Sequence, residues 1–321
     1  MYNENQKREF ISSYTNSHST AAKVEQIFSW FESYEKEWNM DLSQQSAETL
    51  QPVVNKLTGL RIKSTELVLI ILKEYVKWCA KSGYETSKGV FDVKINTIQK
   101  INDQMVVSPF QLKSKLDEYF DTADKETVDI TYRVFLWMAF AGMEDKDAIR
   151  VTADCVDLEN LRINFEGHSY ELYKQCIEDF KKACSLTDFQ YIHPNYTTRK
   201  ERACGDTIMR GFSSPIVDLK TIRPIINKKF DSKNIKLGSD EQKNRYSYKR
   251  IYLSGIFFRA YEREQAGLPV DFSEFIAMSI ERKEKTKKYT LSETRTLSKI
   301  ARTIEREYIA DYEKWKCAFK L

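Results

Sequence analysis

The residues best equipped for chemistry in this 321-residue chain are its cations. Arg199, Lys200 and Arg202 stand together, Lys220, Arg223, Lys228 and Lys229 follow on one predicted helix, and Lys243, Arg245, Lys249 and Arg250 come next. Guanidinium groups hold phosphate oxygens through paired hydrogen bonds, and ammonium groups hold them as point charges. The balance along the chain sharpens this. Residues 1–100 carry 13 Lys+Arg against 12 Asp+Glu, residues 101–198 carry 10 against 18, and residues 199–321 carry 28 against 17. A chain near neutrality overall but basic in its last third has a directional field, as expected where one face meets a polyanion. A solvated helix also collects Lys and Arg, so charge alone names a class of partner and no more.

Other chemistries find little support. The six cysteines (Cys79, Cys155, Cys176, Cys184, Cys204 and Cys317) show no CxxC and no regular spacing, which reads as free thiols in a reducing compartment. His18, His168 and His193 are scattered, so neither a metal nor another cofactor is expected. No apolar run reaches the ~18–20 residues that span a bilayer, and the polar stretch Met1–Phe10 lacks a signal-peptide core. The expected location is the bacterial cytoplasm, at the nucleoid, with no membrane partner.

The elements that must position these cations read mainly as helices, since 10 Gly and 6 Pro are few. Helices are expected at about 10–14, 21–37, 47–57 and 66–81. The last of these carries Leu67, Ile70, Ile71, Tyr75 and Trp78 at helical spacing, with Ser64 or Thr65 as its cap and Gly83 as its stop. Residues from about 84 read as a linker with a weakly alternating stretch, Val90–Ile95, which places a domain boundary near 100. Ser108-Pro109 opens a second domain. In it the very apolar run Val134–Phe140 must be central, Gly142 breaks it, and Leu161–Phe165 with Tyr170–Tyr173 form a hairpin around Gly167-His168-Ser169. Helices are expected at about 174–185, 218–230, 247–265, 271–281 and 291–318.

Several segments, taken in order, resemble the tyrosine recombinases, the phage-integrase family. Trp78-Cys79-Ala80-Lys81-Ser82-Gly83 looks like the end of the family's last core-binding helix. Ala139–Ile149 is similar to the segment around T-G-L-R-x-x-E-L, Val156–Asn160 to the following D-I-D-L-E-N, and Tyr248–Tyr252 falls where the family has H-x-L-R-H. The resemblance implies a mainly α fold with a small β-hairpin or sheet (α+β). A SAM-like helical core-binding domain would occupy 1–100, and a tyrosine-recombinase-like catalytic-type domain 101–321. It also implies that both domains bind duplex DNA, and it adds Lys23, Arg61, Lys63, Ser64 and Thr65 on the N-terminal side to the cations named above.

That family's chemistry needs a tyrosine to attack a backbone phosphate, two arginines on the phosphate oxygens, and His or Lys to move protons. Here the first arginine position holds Glu144, the histidine before Arg250 is Ser247, the later histidine is Met278, and the hairpin tip offers no lysine. Tyr289 has the spacing of the nucleophile, while Tyr308 and Tyr312 lie in the final helix. Losing one positioned donor costs about 10²–10³ in rate, and each proton carrier about 10²–10⁴. The expectation is therefore a protein that is not an enzyme.

A recombinase-like body that holds DNA reads as a sequence-specific repressor on operator sites. The sequence resembles in particular the lysogeny repressors of SPbeta-like Bacillus phages, a recombinase-derived group. Two alternatives remain open: a divergent active recombinase using Arg250 and Tyr289, and an accessory protein that binds a recombinase. The final helix, with Leu297, Ile300, Ile304, Tyr308, Tyr312 and Trp315 on one face, packs on its own domain or serves self-association. A phage or host regulatory protein is a further possible partner.

Overall fold

A computed structural model describes residues 1–14, 18–57, 62–94, 97–120, 126–193, 195–232, 246–286 and 291–321. The chain divides into two compact units, one containing Met1–Lys100 and the other Ile101–Ser239 with Asn244–Leu321.

The first unit is helical: α1 (Glu4–Ser12), α2 (His18–Trp38), α3 (Ala47–Leu57), α4 (Ile62–Lys81), the single turn α5 (Gly89–Asp92), and the start of α6 (Thr97–Gln104). Val24, Ile27, Phe28 and Phe31 recur every three or four residues on α2 and are buried together. On α4 the inward face is set by Val68, Leu72, Tyr75 and Val76. Leu67 and Ile70, which share its apolar spacing, remain 39% and 52% exposed. Tyr75 is the hub of the aromatic core, with its ring 5.2 Å from Phe10 and 4.9 Å from Phe28.

One polar group lies inside this core. Lys7 is fully buried, donates to Glu35 at 2.5 Å and comes within 3.8 Å of Asp41. Glu35 also accepts from the Leu42 backbone, and Asp41 from the Tyr75 hydroxyl. Burial outweighs the pull of Lys7 and pushes the Glu35 carboxyl upward.

Two sequence expectations are corrected here. The first helix begins at Glu4 rather than near Phe10. The stretch read as a linker from about 84 is packed: Val90 and Val93 are buried, and the Ser87 amide donates to the Ser43 carbonyl. A Cβ on Gly89 would lie 2.5 Å from the Gln45 carbonyl oxygen, so only glycine allows this approach.

The second unit is built around α8 (Val128–Phe140), which is buried on nearly every side, as a helix apolar all round must be. Its turnings are chemical. The Gly142 amide bonds to Ala139 and the Met143 amide to Met138, with Gly142 left-handed at φ 81, which closes the helix as a Schellman motif. α7 (Pro109–Tyr119) is capped by Ser108, which accepts from the Gln111 amide. α10 (Ile177–Ser185) is tied to α8 by Asp179, which receives Arg133 at 3.1 Å and the Trp137 indole at 2.7 Å.

After the turn α9 (Asp145–Ala148), three antiparallel strands follow in order: β1 (Val156–Asp157), β2 (Arg162–Phe165) and β3 (His168–Glu171), with Phe165 opposite His168 across the Glu166-Gly167 turn. A second hairpin, β4 (Asp188–His193) with β5 (Tyr196–Glu201), was not anticipated. Four helices follow among the described residues, after an irregular stretch beyond β5: α11 (Leu219–Ser232), α12 (Tyr248–Gln265), α13 (Ser273–Thr286) and α14 (Leu291–Phe319). α12 lies tightly on α8, since a Cβ on Gly255 would come within 1.8 Å of the Phe140 carbonyl oxygen. The C-terminal half of α14 packs on its own unit, where Tyr312 and Trp315 are fully buried against Phe257.

All six cysteines are free. Cys79 and Cys176 are buried, and burial pushes the Cys176 thiol up to about 12, while Cys204 and Cys317 are exposed. Among the described residues, no helix is long and apolar enough to cross a membrane.

Candidate nucleic-acid interface

The Schellman turn after α8 sets the positions where the sequence departs from its resemblance. The Glu144 carbonyl accepts from the Asp147 and Ala148 amides at 3.0 and 2.9 Å and so starts α9. Directly behind it, the buried Tyr248 hydroxyl donates to the Met143 carbonyl at 2.9 Å, which holds the start of α12 to this loop. The structure therefore brings Glu144 and the Ser247–Arg250 segment into one neighbourhood, together with Asp145 and Asp147. Burial first, then these carboxylates, hold the Tyr248 phenol well above its ordinary range.

Ser247 is the N-cap of α12: its hydroxyl accepts from the Arg250 amide at 3.4 Å. Ser254 extends the same helix's polar seam, donating to the Arg250 carbonyl at 2.8 Å and accepting from the Val106 amide. Lys249 is exposed at the surface, its ammonium 4.1 Å from the centre of the Tyr252 ring. Met278 of α13 is buried. Tyr289 lies outside the described residues. Tyr308, hydrogen-bonded to Tyr252 and stacked on Phe272, feels the Glu144 charge, while burial raises its phenol. Tyr312 donates to Glu264 at 2.6 Å.

In the second unit the exposed candidate cations fall on β5, α11 and α12. Arg199 and Lys200 project from β5, both exposed. Arg199 donates to Gln190 of β4 at 3.1 Å, and Lys200 sits 5.2 Å from the Phe212 ring. The hairpin is fastened to the start of α8, where the Thr127 amide donates to the Gln190 carbonyl and the Gln190 amide to the Thr127 hydroxyl. Lys220, Arg223 and Lys228 are exposed on α11, whose other face buries Ile222, Ile226 and Phe230. Arg223 is bound to Asp145, its Nε donating at 2.9 Å. Lys229 is turned inward, donating to Glu126 at 2.5 Å and to the buried Asp129 at 2.8 Å.

In the first unit Lys23 is exposed on α2, and Lys63, Ser64 and Thr65 lie in the first turns of α4. Arg61, Lys243 and Arg245 lie outside the described residues.

Arg202 is corrected. Predicted to meet DNA, it is only 7% exposed. Its guanidinium donates to the Leu186 carbonyl at 2.8 Å and the Ile208 carbonyl at 2.5 Å, and lies 5.3 Å from the Phe189 ring. A side chain so committed staples the loop after β5. Sequence reasoning missed two further arginines. Arg259 donates to the Phe140 carbonyl at 3.2 Å, at the end of α8. Arg210 sits beside Arg202, in an irregular stretch with no periodicity to mark it.

Fold and site together describe a two-unit protein with a helical N-terminal bundle and a larger α+β unit that carries surface cations, mainly helical with small sheets as expected. Residues 1–81 match the family model described as the MrpR N-terminal core-binding domain. No curated protein matches the sequence. Among solved structures, the XerA recombinase aligns over 82% of this chain and 85% of its own, at 11% identity and a TM-score of 0.34. The Tn1549 transposon integrase in complex with circular intermediate DNA aligns over 91% and 97%, at 12% identity and a TM-score of 0.36. These neighbours are enzymes, and on that finding the expectation of a protein that is not an enzyme is corrected.

Proposed function

We propose that the chain is a sequence-specific, double-stranded DNA-binding transcriptional repressor, of the kind that maintains phage lysogeny. The observation that carries this reading is the match of residues 1–81 to a core-binding domain of the MrpR type. The placement of the cations supports it. Lys23, Arg199, Lys200, Lys220, Lys228 and Lys249 are all exposed, on α2, β5, α11 and α12 of a chain whose last third is strongly basic. Cations spread over several surface elements grip a phosphate backbone, and side chains between them read base edges. Arg250, half-buried at the start of α12, is the cation through which this neighbourhood would meet a phosphate, since Arg223 is already engaged by Asp145.

Sequencing the genomic fragments retained by the full-length protein, followed by footprinting and a promoter–reporter assay, tests this. Discrete footprints over promoters and a silenced reporter are the expected result. Retention without sequence preference, or an unrepressed reporter on bound DNA, rejects it. A covalent protein–DNA adduct on a denaturing gel identifies instead a strand-cleaving recombinase.

A further inference from the structure

The second unit contains a half-open cavity of about 460 Å³ whose wall includes Thr152, Ala183, Cys184, Arg202, Thr207 and Arg210, with the exposed carboxylates of Asp154 and Asp206 also lining it. Its cationic side is unusual. Arg202 and Arg210 sit close enough to share an acceptor, the Leu186 carbonyl, which receives them at 2.8 and 3.4 Å. Their remaining acceptors are also neutral backbone carbonyls: Ile208 and Ala183 for Arg202, and Gly205 for Arg210. Neither forms an ion pair with a carboxylate among the described residues, and the Nε–H of each has no partner there. Burial and the charge of Arg210 bring Arg202 down to about 10, so it still carries its proton at neutral pH.

Two guanidiniums held side by side in a partly buried wall donate only to neutral carbonyls, and among the described residues neither is paired with the Asp154 or Asp206 carboxylates that also line the cavity. Buried cations are ordinarily paired, because desolvation and mutual repulsion oppose the arrangement otherwise. An oxyanion supplies both the charge and the acceptors. A phosphate monoester, at about −1.5 to −2 near neutrality, balances two guanidiniums, which a carboxylate or a DNA phosphodiester at one charge each does not. Asp154 and Asp206, on the same cavity, would accept hydrogen bonds from hydroxyl or amino groups on the body of such a ligand. We propose that this cavity binds a small phosphate monoester, with Arg202 and Arg210 as its cationic wall. Arg202 directly follows β5, the strand that carries Arg199 and Lys200, so the ligand would sit one residue from that basic strand. Binding at the cavity goes beyond the DNA-binding reading and does not rest on it.

The test uses the full-length protein without DNA, titrated with methyl phosphate in a calorimeter at ionic strength held constant with sodium chloride. Sodium acetate and a short duplex of arbitrary sequence are titrated in parallel. Saturable methyl phosphate binding is expected, at least about tenfold tighter than acetate, and weakened about tenfold or more in Arg210→Gln. Arg210→Lys, which keeps the charge but loses the fork, guards against misfolding of the first variant and should fall between the two. Equal heats for methyl phosphate and acetate overturn the proposal, as does binding unchanged in both variants. If wild type ignores methyl phosphate while Arg210→Gln loses affinity for the duplex, the arginines meet a DNA backbone and the cavity assignment fails. Loss of the repressor reading would leave the methyl phosphate titration untouched.

Discussion

Arg199 and Arg202 stand three residues apart and behave in opposite ways. The first is exposed on β5, and the second is stapled to carbonyls in the loop beyond it. Replacing Arg202 by Met leaves two or three carbonyls without donors in a buried place. Unfolding in urea should then show a loss of about 2–4 kcal/mol. Arg199→Ala should stay within about 0.5 kcal/mol of wild type in the same measurement. Glu35 gives a prediction with a pH sign. Its carboxyl is raised in the folded protein, so the folded state holds that proton more tightly than the unfolded chain does. The stabilisation linked to it is complete below the ordinary carboxyl range and is lost as pH rises through the raised value. Glu35→Gln should flatten that part of the stability–pH curve, and an unchanged slope in the variant would show that the titrating group lies elsewhere.

At the scale of elements, the contact between α8 and α12 is the most constrained in the second unit. Gly255→Ala forces a methyl group against the Phe140 carbonyl with no flexible side chain to give way, so the helices must part. A loss of about 3 kcal/mol or more, read as a lowered Tm, is expected. Gly142 and the apolar run before it made the end of α8 legible from sequence, because a left-handed glycine after a buried helix has one common use. The β4–β5 hairpin was not legible. Tyr196–Glu201 contains no buried residue to alternate with the polar ones, so the two-residue period that marks a strand is missing. Ser247 illustrates a different limit. Its place opposite a family histidine was readable, yet its work as the cap of α12 depends on a local backbone turn that likeness to a motif does not describe. The cations were found by type, but Arg202 and Lys229 could be sorted from Lys200 and Lys228 only by burial, and burial there depends on contacts with residues distant in sequence.

For the whole molecule, the DNA binding proposed above would, through this charge pattern, weaken as salt rises. If Lys220 and Lys228 each sit at a phosphate, changing either to Ala should lower the slope of log affinity against log salt by about one. Arg223 is already engaged by Asp145, so Arg223→Ala should change the slope less. An unaltered slope in both lysine variants would remove α11 from the DNA-binding face.

The unpaired thiols give the molecule a built-in reporter. Cys204 is exposed and immediately precedes Gly205, one of the residues lining the Arg202–Arg210 cavity, whereas Cys79 and Cys176 are shielded from modification. With Cys155, Cys184 and Cys317 changed to Ser, an environment-sensitive maleimide dye placed on Cys204 should change its emission when the cavity fills. The same labelled sample, given operator DNA, would then show within a single titration whether occupancy of that cavity and occupancy of DNA are linked.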